Sequence, residues 1–278
     1  MNSNTALSVS NIIQQAIQTV KKGKIPFIQV VAGGHAIIIL ASLLLGQANP
    51  FNSDPAQHPF LYIIWSLLTA AVTILMMVSA IFVLKNTQQN TPVTWKEALR
   101  FAASRFWKVL GAFLWYMFLL WVVLLVFALI ALALVVLVYS ISPSANILVG
   151  LVAAVAAIWL IITAMMLALC RIYAVVIDDV GVFEALAYSR RLLKNKYWKT
   201  LFAAFAIFVF IFIFSTLVGI LQVFLFPLYL VNTFLGIAGT WLLAFPCTVL
   251  NSVIGLGLVY SLYTSIKQTE QDNTTASN

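Results

Sequence analysis

Apolar positions in this chain fall in long, unbroken runs. Between Val122 and Val138 every residue is apolar, which rules out the polar alternation of a membrane barrel strand and leaves helices as the way to satisfy the backbone. A span needs about 20 apolar residues. Six stretches qualify: Phe27–Leu45, Phe60–Leu84, Val109–Ile141, Ile147–Ile177, Leu201–Phe226 and Leu228–Ile266. The last is long and carries Pro246, so the pattern predicts either a helix kinked there or an interfacial segment followed by a span starting near Trp241. The fold class is all-α: a polytopic membrane bundle of six transmembrane helices over residues 1–267, followed by a polar, disordered cytoplasmic tail over 268–278.

Between the runs lie three segments of mixed polarity, about 10–24, 94–107 and 181–198. They belong to a repeat. Glu97-Ala98-Leu99 leads to Phe106-Trp107-Lys108 and a span, and Glu184-Ala185-Leu186 leads to Tyr197-Trp198-Lys199 and a span. A weaker copy starts at Gln15-Ala16-Ile17, ahead of Pro26-Phe27. Each unit reads as an interfacial amphipathic helix followed by a helical hairpin, three times over. Thr94-Trp95-Lys96-Glu97 has the form of a capping box, which Gly181 and Glu184 imitate weakly. In the third segment Val182, Phe183, Leu186, Leu193 and Tyr197 fall mainly on one face and Arg191, Lys194 and Asn195 on the other, as expected of a helix in the headgroup layer.

Composition and charge sharpen this picture. The 278 residues are 63% hydrophobic and 8% charged, with a mean hydropathy of +1.07, far from the quarter charged of a soluble domain. The formal charge of +8 concerns topology, not nucleic acid. In a six-span arrangement all 15 Lys and Arg fall on one side, and the opposite loops, Gly46–Pro59, Ser142–Asn146 and a turn near Pro227, contain none. The positive-inside rule then puts both termini in the cytoplasm. The first 25 residues are polar and no small-residue cleavage site follows, so the first span is expected to serve as an uncleaved targeting signal. Cys170 and Cys247 suggest neither a disulfide framework nor a metal site.

The run Arg171-Ile-Tyr-Ala-Val-Val-Ile-Asp178-Asp179-Val-Gly181-Val-Phe183-Glu184-Ala-Leu186, continuing through Ser189-Arg190-Arg191-Leu192 to Tyr197-Trp198-Lys199, resembles the glycerophosphoryl diester phosphodiesterase membrane domain family and related uncharacterised six-span bacterial membrane proteins. The resemblance covers residues 10 to 267 and is specific over about 30 of them around the fourth-to-fifth span connection. It implies a bacterial plasma (inner) membrane module of unassigned biochemical role. The hydrolase of fused members is a separate soluble barrel that binds a divalent metal through acidic residues. This sequence contains no counterpart of it, and its histidines are His35 and His58. No phosphodiesterase activity is carried over.

Candidate chemistry concentrates near the fourth span. Gly150, Ala154, Ala157, Ala164 and Ala168 recur on one face, suited to close helix approach, and at about 100° per residue Arg171 and Asp179 fall near that stripe. Arg171 lies inside an apolar run, where an ionisable residue is a functional candidate. One reading has it face the interior and pair with Asp178, Asp179 or Glu184 in a polar cytoplasmic pocket. The other has it snorkel to the interface while the aspartates cap the next helix. Arg190, Arg191, Lys194, Lys196, Trp198 and Lys199, with Arg105, Trp107 and Lys108, are candidate lipid-headgroup contacts. His35, after Gly33-Gly34, is either a relay or a packed, hydrogen-bonded side chain. Gln29, Gln222, Asn232 and Asn251 are expected in interhelical bonds.

No catalytic, cofactor-binding or metal-ligating constellation emerges. The leading expectation is a non-enzymatic lipid-associating, membrane-organising or scaffolding module. Its partners would be anionic membrane lipids, with a membrane-protein partner or a second copy of the chain as the other class. A small-solute transporter and an integral membrane enzyme acting on lipid are the alternatives. The first finds little charge at any span centre; the second has one acidic cluster, Asp178–Glu184, that already has a capping role.

Overall fold

A computed structural model of the chain describes residues 8–44, 59–141, 145–194, 196–231 and 245–276. These form eight helices: α1 (Val9–Lys22), α2 (Lys24–Leu44), α3 (Pro59–Gln88), α4 (Trp95–Ile141), α5 (Ala145–Ile177), α6 (Glu184–Leu193), α7 (Tyr197–Val231) and α8 (Phe245–Ala276). No strand occurs among the described residues. Five segments are long and apolar enough to cross a membrane: Lys24–Ala41, Phe60–Gln88, Trp95–Val136, Tyr197–Leu217 and Phe245–Thr269. A shorter apolar stretch, Val149–Ala164, lies in α5. The chain is thus all-helical, with apolar helices compatible with a multi-pass membrane protein. The predicted outer loop, His58, Asn232 and the break near Trp241 lie outside the described residues.

Helix boundaries follow local chemistry. At the start of α4 the capping box forms in full: Thr94 N–H donates to Glu97 Oε2 at 2.8 Å and Glu97 N–H to Thr94 Oγ1 at 3.4 Å. At the end of α3, Asn90 takes a left-handed φ of 57°. Its N–H donates to the Thr87 carbonyl, and Thr91 N–H to that of Asn86 at 2.9 Å, a Schellman closure built on asparagine.

Three boundaries differ from the sequence pattern. The 94–107 segment is not separate: α4 runs unbroken from Trp95, because no residue there stops a helix once its cap is satisfied. Pro227 lies inside α7 and marks no turn. The polar tail continues α8 to Ala276. Thr269 is buried and donates to the Ser265 carbonyl at 2.7 Å; propagating an existing helix is far easier than nucleating one.

The chain divides into two units: Met1–Phe106 with Asn195–Asn278, and Trp107–Lys194. In the first, α2 packs on α3 and α8 packs on α1, α2, α3 and α7. Phe27, Val31, Val78, Ile81, Leu84 and Ile266 are fully buried. Gly34 lets α2 approach α3 closely, since a Cβ there would sit 2.9 Å from Met76 Sδ. Gly257 does the same for α8 against α1, 2.8 Å from Val20 Cγ2. Polar pairs tie these helices: His35 Nε2 with Ser252 Oγ at 2.8 Å, Asn251 with Ser215 at 2.9 Å, Tyr260 with Gln88 at 2.6 Å and Ser265 with Gln15 at 3.1 Å. His35 is therefore hydrogen-bonded across two helices.

The second unit is the hairpin of α4 and α5 with α6 folded onto α5. Its helices face each other across an apolar cleft of about 360 Å³ between Phe127, Ala131 and Leu134 on α4 and Val149, Ala153 and Ala156 on α5. The predicted small-residue stripe turns inward only in part, with Ala157, Ala164 and Ala168 half-buried. Gly150 and Ala154 are exposed and a Cβ on Gly150 would meet nothing within 4 Å. At that end Ala153 and Ala156 line the cleft instead, because the stripe's spacing carries no information about which neighbour α5 meets.

Candidate functional site

The polar residues of the second unit gather where α5 ends. Asp179 adopts a left-handed φ of 56°, which Asp tolerates better than most residues. Asp178 N–H and Val180 N–H both donate to the Ala174 carbonyl, at 3.0 and 3.4 Å. The two aspartates therefore close α5. They do not cap α6, which begins after Phe183 with no side-chain cap bond.

Arg171 lies six residues before the end of α5 and is 1% exposed. Its Nη2 donates to the Val182 carbonyl at 2.6 Å. That bond ties the loop after α5 back to the helix. Nε and Nη1 are buried with no hydrogen-bond partner among the described residues, and so is the Tyr116 hydroxyl, which interacts electrostatically with Arg171. Neither expectation for Arg171 matches this geometry. The guanidinium is buried in protein, and its described bond is to a carbonyl, not to Asp178, Asp179 or Glu184. The reason is competition. Asp179 takes the Lys108 ammonium, which also donates to the Asp179 carbonyl at 3.1 Å. Asp178 accepts from the Tyr188 hydroxyl at 3.0 Å. Glu184 is exposed in the first turn of α6, where a carboxylate favours the helix N-terminus.

Lys108, eight residues before Tyr116 on α4, meets Asp179, eight residues after Arg171 on α5. Lys108 and Tyr116 are about two turns apart along α4, about 12 Å. Trp115 packs edge-on against Phe183, with ring centroids 5.3 Å apart. Tyr116, Tyr188 and the pairing role of Lys108 were not foreseeable from the pattern. Their partners lie far along the chain, save for Arg191, whose guanidinium stands 5.4 Å from the Tyr188 ring centroid at the i, i+3 spacing that makes helical neighbours.

The candidate headgroup contacts separate into distinct environments. On α6 and just after it Arg190, Arg191 and Lys194 are exposed, while Ala185, Ser189, Leu192 and Leu193 are buried. Trp107 is 78% exposed. In the first unit Trp198, 59% exposed, and Lys199 are open at the start of α7. Arg105 lies 5.7 Å from the Phe101 ring centroid, and Phe101 stacks on Phe82 at 4.2 Å. Lys196 departs from expectation. It is 8% exposed and its Nζ donates to the Ile266 carbonyl at 3.5 Å, because its stem is drawn inward by packing against α8.

Nothing here assembles a metal centre: among the described residues no group of three or more His, Cys, Asp or Glu is placed to hold an ion. Cys170 is a buried free thiol. No family model, curated protein or solved structure matches this chain.

Proposed function

We propose that the chain is a six-span module of the bacterial inner membrane that associates with anionic lipid and organises the membrane surface around it, without catalysing a reaction. Both termini lie in the cytoplasm, and α1, the start of α4 and α6 serve as amphipathic helices at the headgroup layer, each leading into a helical hairpin. The resemblance of Arg171–Lys199 to the phosphodiesterase membrane domain family is part of the same reading, as a membrane module only.

The observation that carries it is the exposure of cations and tryptophans beside the apolar helices of each unit. Arg190, Arg191 and Lys194 project outward from a helix whose other face is buried, and Trp107 and Trp198 are open, the exposure that an aromatic-belt role requires. Near an anionic leaflet each such cation contributes about 1 kcal/mol. Carboxylates do not offset them: Glu184 is the one acidic residue on α6.

Full-length protein reconstituted in mixed phosphatidylglycerol–phosphatidylcholine vesicles tests this. The wild type should enrich phosphatidylglycerol in its retained lipid, and the R190Q/R191Q/K194Q variant should lose most of that enrichment. Equal retention of both lipids by the wild type would refute the reading. Reporter fusions behind residues 90 and 275 should both report cytoplasm.

A further inference from the structure

The first unit contains a groove that the interfacial cations do not account for. It measures about 360 Å³ and is bounded by Gln29, Gly33 and Gly34 on α2, Val72 and Met76 on α3, and Trp95 at the start of α4. Its two ends differ. α2 leaves the cationic side at Lys24, so Gln29 sits five residues in, about 7.5 Å along the axis, and Trp95 lies at that same end beside Ser79. Gly33 and Val72 lie further along, where the walls are entirely apolar.

The two adjacent glycines have opposite roles. Gly34 is pressed against Met76 and holds the helices together, whereas a Cβ on Gly33 would meet nothing within 4 Å. The absence of a side chain at Gly33 leaves the groove open rather than serving packing. At the polar end the Ser79 hydroxyl is engaged, donating to the Ala98 carbonyl at 3.2 Å. Neither the Gln29 amide nor the Trp95 indole N–H has a hydrogen-bond partner among the described residues, and both side chains are exposed. The Lys96 ammonium stands over the Trp95 ring, 5.7 Å from its centroid. A carboxamide facing hydrocarbon without a partner is costly, and Gln29 is a polar wall residue of an otherwise apolar channel inside a span.

We infer that this groove holds one acyl chain of an anionic phospholipid. Gln29 donates to the ester carbonyls, Trp95 lies at the glycerol level, and Lys96 faces the phosphate. The charge complementarity is one-sided: the polar end offers an ammonium and N–H donors, and the ligand must bring acceptors at two depths. A phospholipid has acceptors at both, ester and phosphate. A free fatty acid has one carboxylate and leaves either Gln29 or Lys96 unmatched. The proposal deepens the lipid-associating reading but uses residues separate from the α6 cations, so the two can fail independently.

The test uses full-length protein in phosphatidylcholine vesicles doped with a phosphatidylglycerol bearing a photoreactive diazirine on one acyl chain. Labelling should concentrate on the α2 and α3 peptides that contain Gly33 and Val72. Gly33→Phe fills the open channel and should cut that labelling roughly tenfold, the factor that about 1.4 kcal/mol of lost contact represents. Gln29→Leu leaves the channel open and should weaken phosphatidylglycerol labelling while sparing a diazirine fatty acid, and it decides the matter if Gly33→Phe fails to fold. The R190Q/R191Q/K194Q variant should label the groove as the wild type does. Labelling spread evenly over the lipid-facing helices, labelling by the fatty acid in preference to the phospholipid, or labelling unchanged in both groove variants would each overturn the proposal. Absence of vesicle selectivity in the wild type with groove labelling intact would instead count against the α6 cations alone.

Discussion

The two units match their buried polar side chains to different degrees, although the Thr69 and Thr200 hydroxyls of the first are also buried without a hydrogen-bond partner among the described residues. In the first, four polar pairs cross between helices, and His35, Asn251, Tyr260 and Ser265 each find a side-chain partner. In the second, Arg171 is as deeply buried as any core residue yet holds a single backbone carbonyl, leaving Nε, Nη1 and the Tyr116 hydroxyl unmatched. Its carboxylates are engaged elsewhere, by Lys108 and Tyr188. Where no water is available, interhelical bonds stabilise a bundle by modest amounts, about 0.6 kcal/mol on average. A buried cation without an anion costs stability. The first unit is thus pinned by its polar residues. In the second, α6 packs on α5, and the buried Arg171 guanidinium fastens the loop between them.

The largest test of this contrast is steric. Gly34→Val places methyl groups where Met76 already stands, and overpacking of this kind costs about 1–3 kcal/mol. Thermal unfolding of the purified protein in detergent should show the loss, while Gly150→Val, facing open space, should leave the midpoint unchanged. Equal effects would mean that α2 and α3 are not in the close contact described.

A smaller effect of opposite sign separates the polar pairs from the buried arginine. His35→Leu strands Ser252 and should cost about 1 kcal/mol. Arg171→Met keeps most of the volume and removes an uncompensated charge, so it should be neutral or stabilising. A larger loss for Arg171→Met than for His35→Leu would show that the guanidinium has an anionic partner in the membrane. That result would reverse the comparison.

The smallest effect concerns the cap shared by sequence and structure. Glu97 is held below the ordinary glutamate range by the Thr94 backbone N–H and then by the Thr94 hydroxyl. A carboxylate with a lowered folded-state pKa stabilises above its unfolded value, and that contribution disappears as pH falls through the folded value. Amide exchange around Thr94–Ala98 should therefore quicken, beyond its intrinsic pH trend, as pH drops through and below the ordinary glutamate range of about 4.3. Glu97→Gln should flatten the response. No such change is expected at Gly181–Ala185, where α6 has no side-chain cap.

Much of this architecture was legible in the chain. The apolar runs foretold α2, α3, α5 and α7 to within a few residues at most ends, because helix-length hydrophobicity is a local property. The Thr94–Glu97 box was readable for the same reason: both partners lie within one turn. Arg171 was recognisable as exceptional from its place in an apolar run, but its partner was not. Three carboxylates stood within reach in sequence, and each met a competing group or solvent in space. Lys196 read as a surface cation and proved buried, because the α8 carbonyl it meets lies 70 residues away.

By itself, then, the sequence determined that the chain is helical, that several helices are long and apolar enough to cross a membrane, and where one helix is capped. Those outcomes depend on residues within a turn or two of one another and on the cost of exposing backbone to hydrocarbon. Only the tertiary structure decided which face of α5 meets α4, that Gly34 is filled by a neighbour while Gly33 opens onto a groove, and that a buried guanidinium ends on a carbonyl. Each depends on the rotation of one helix about its axis relative to another, and side-chain packing across the interface sets that angle, which no periodicity within a single helix records.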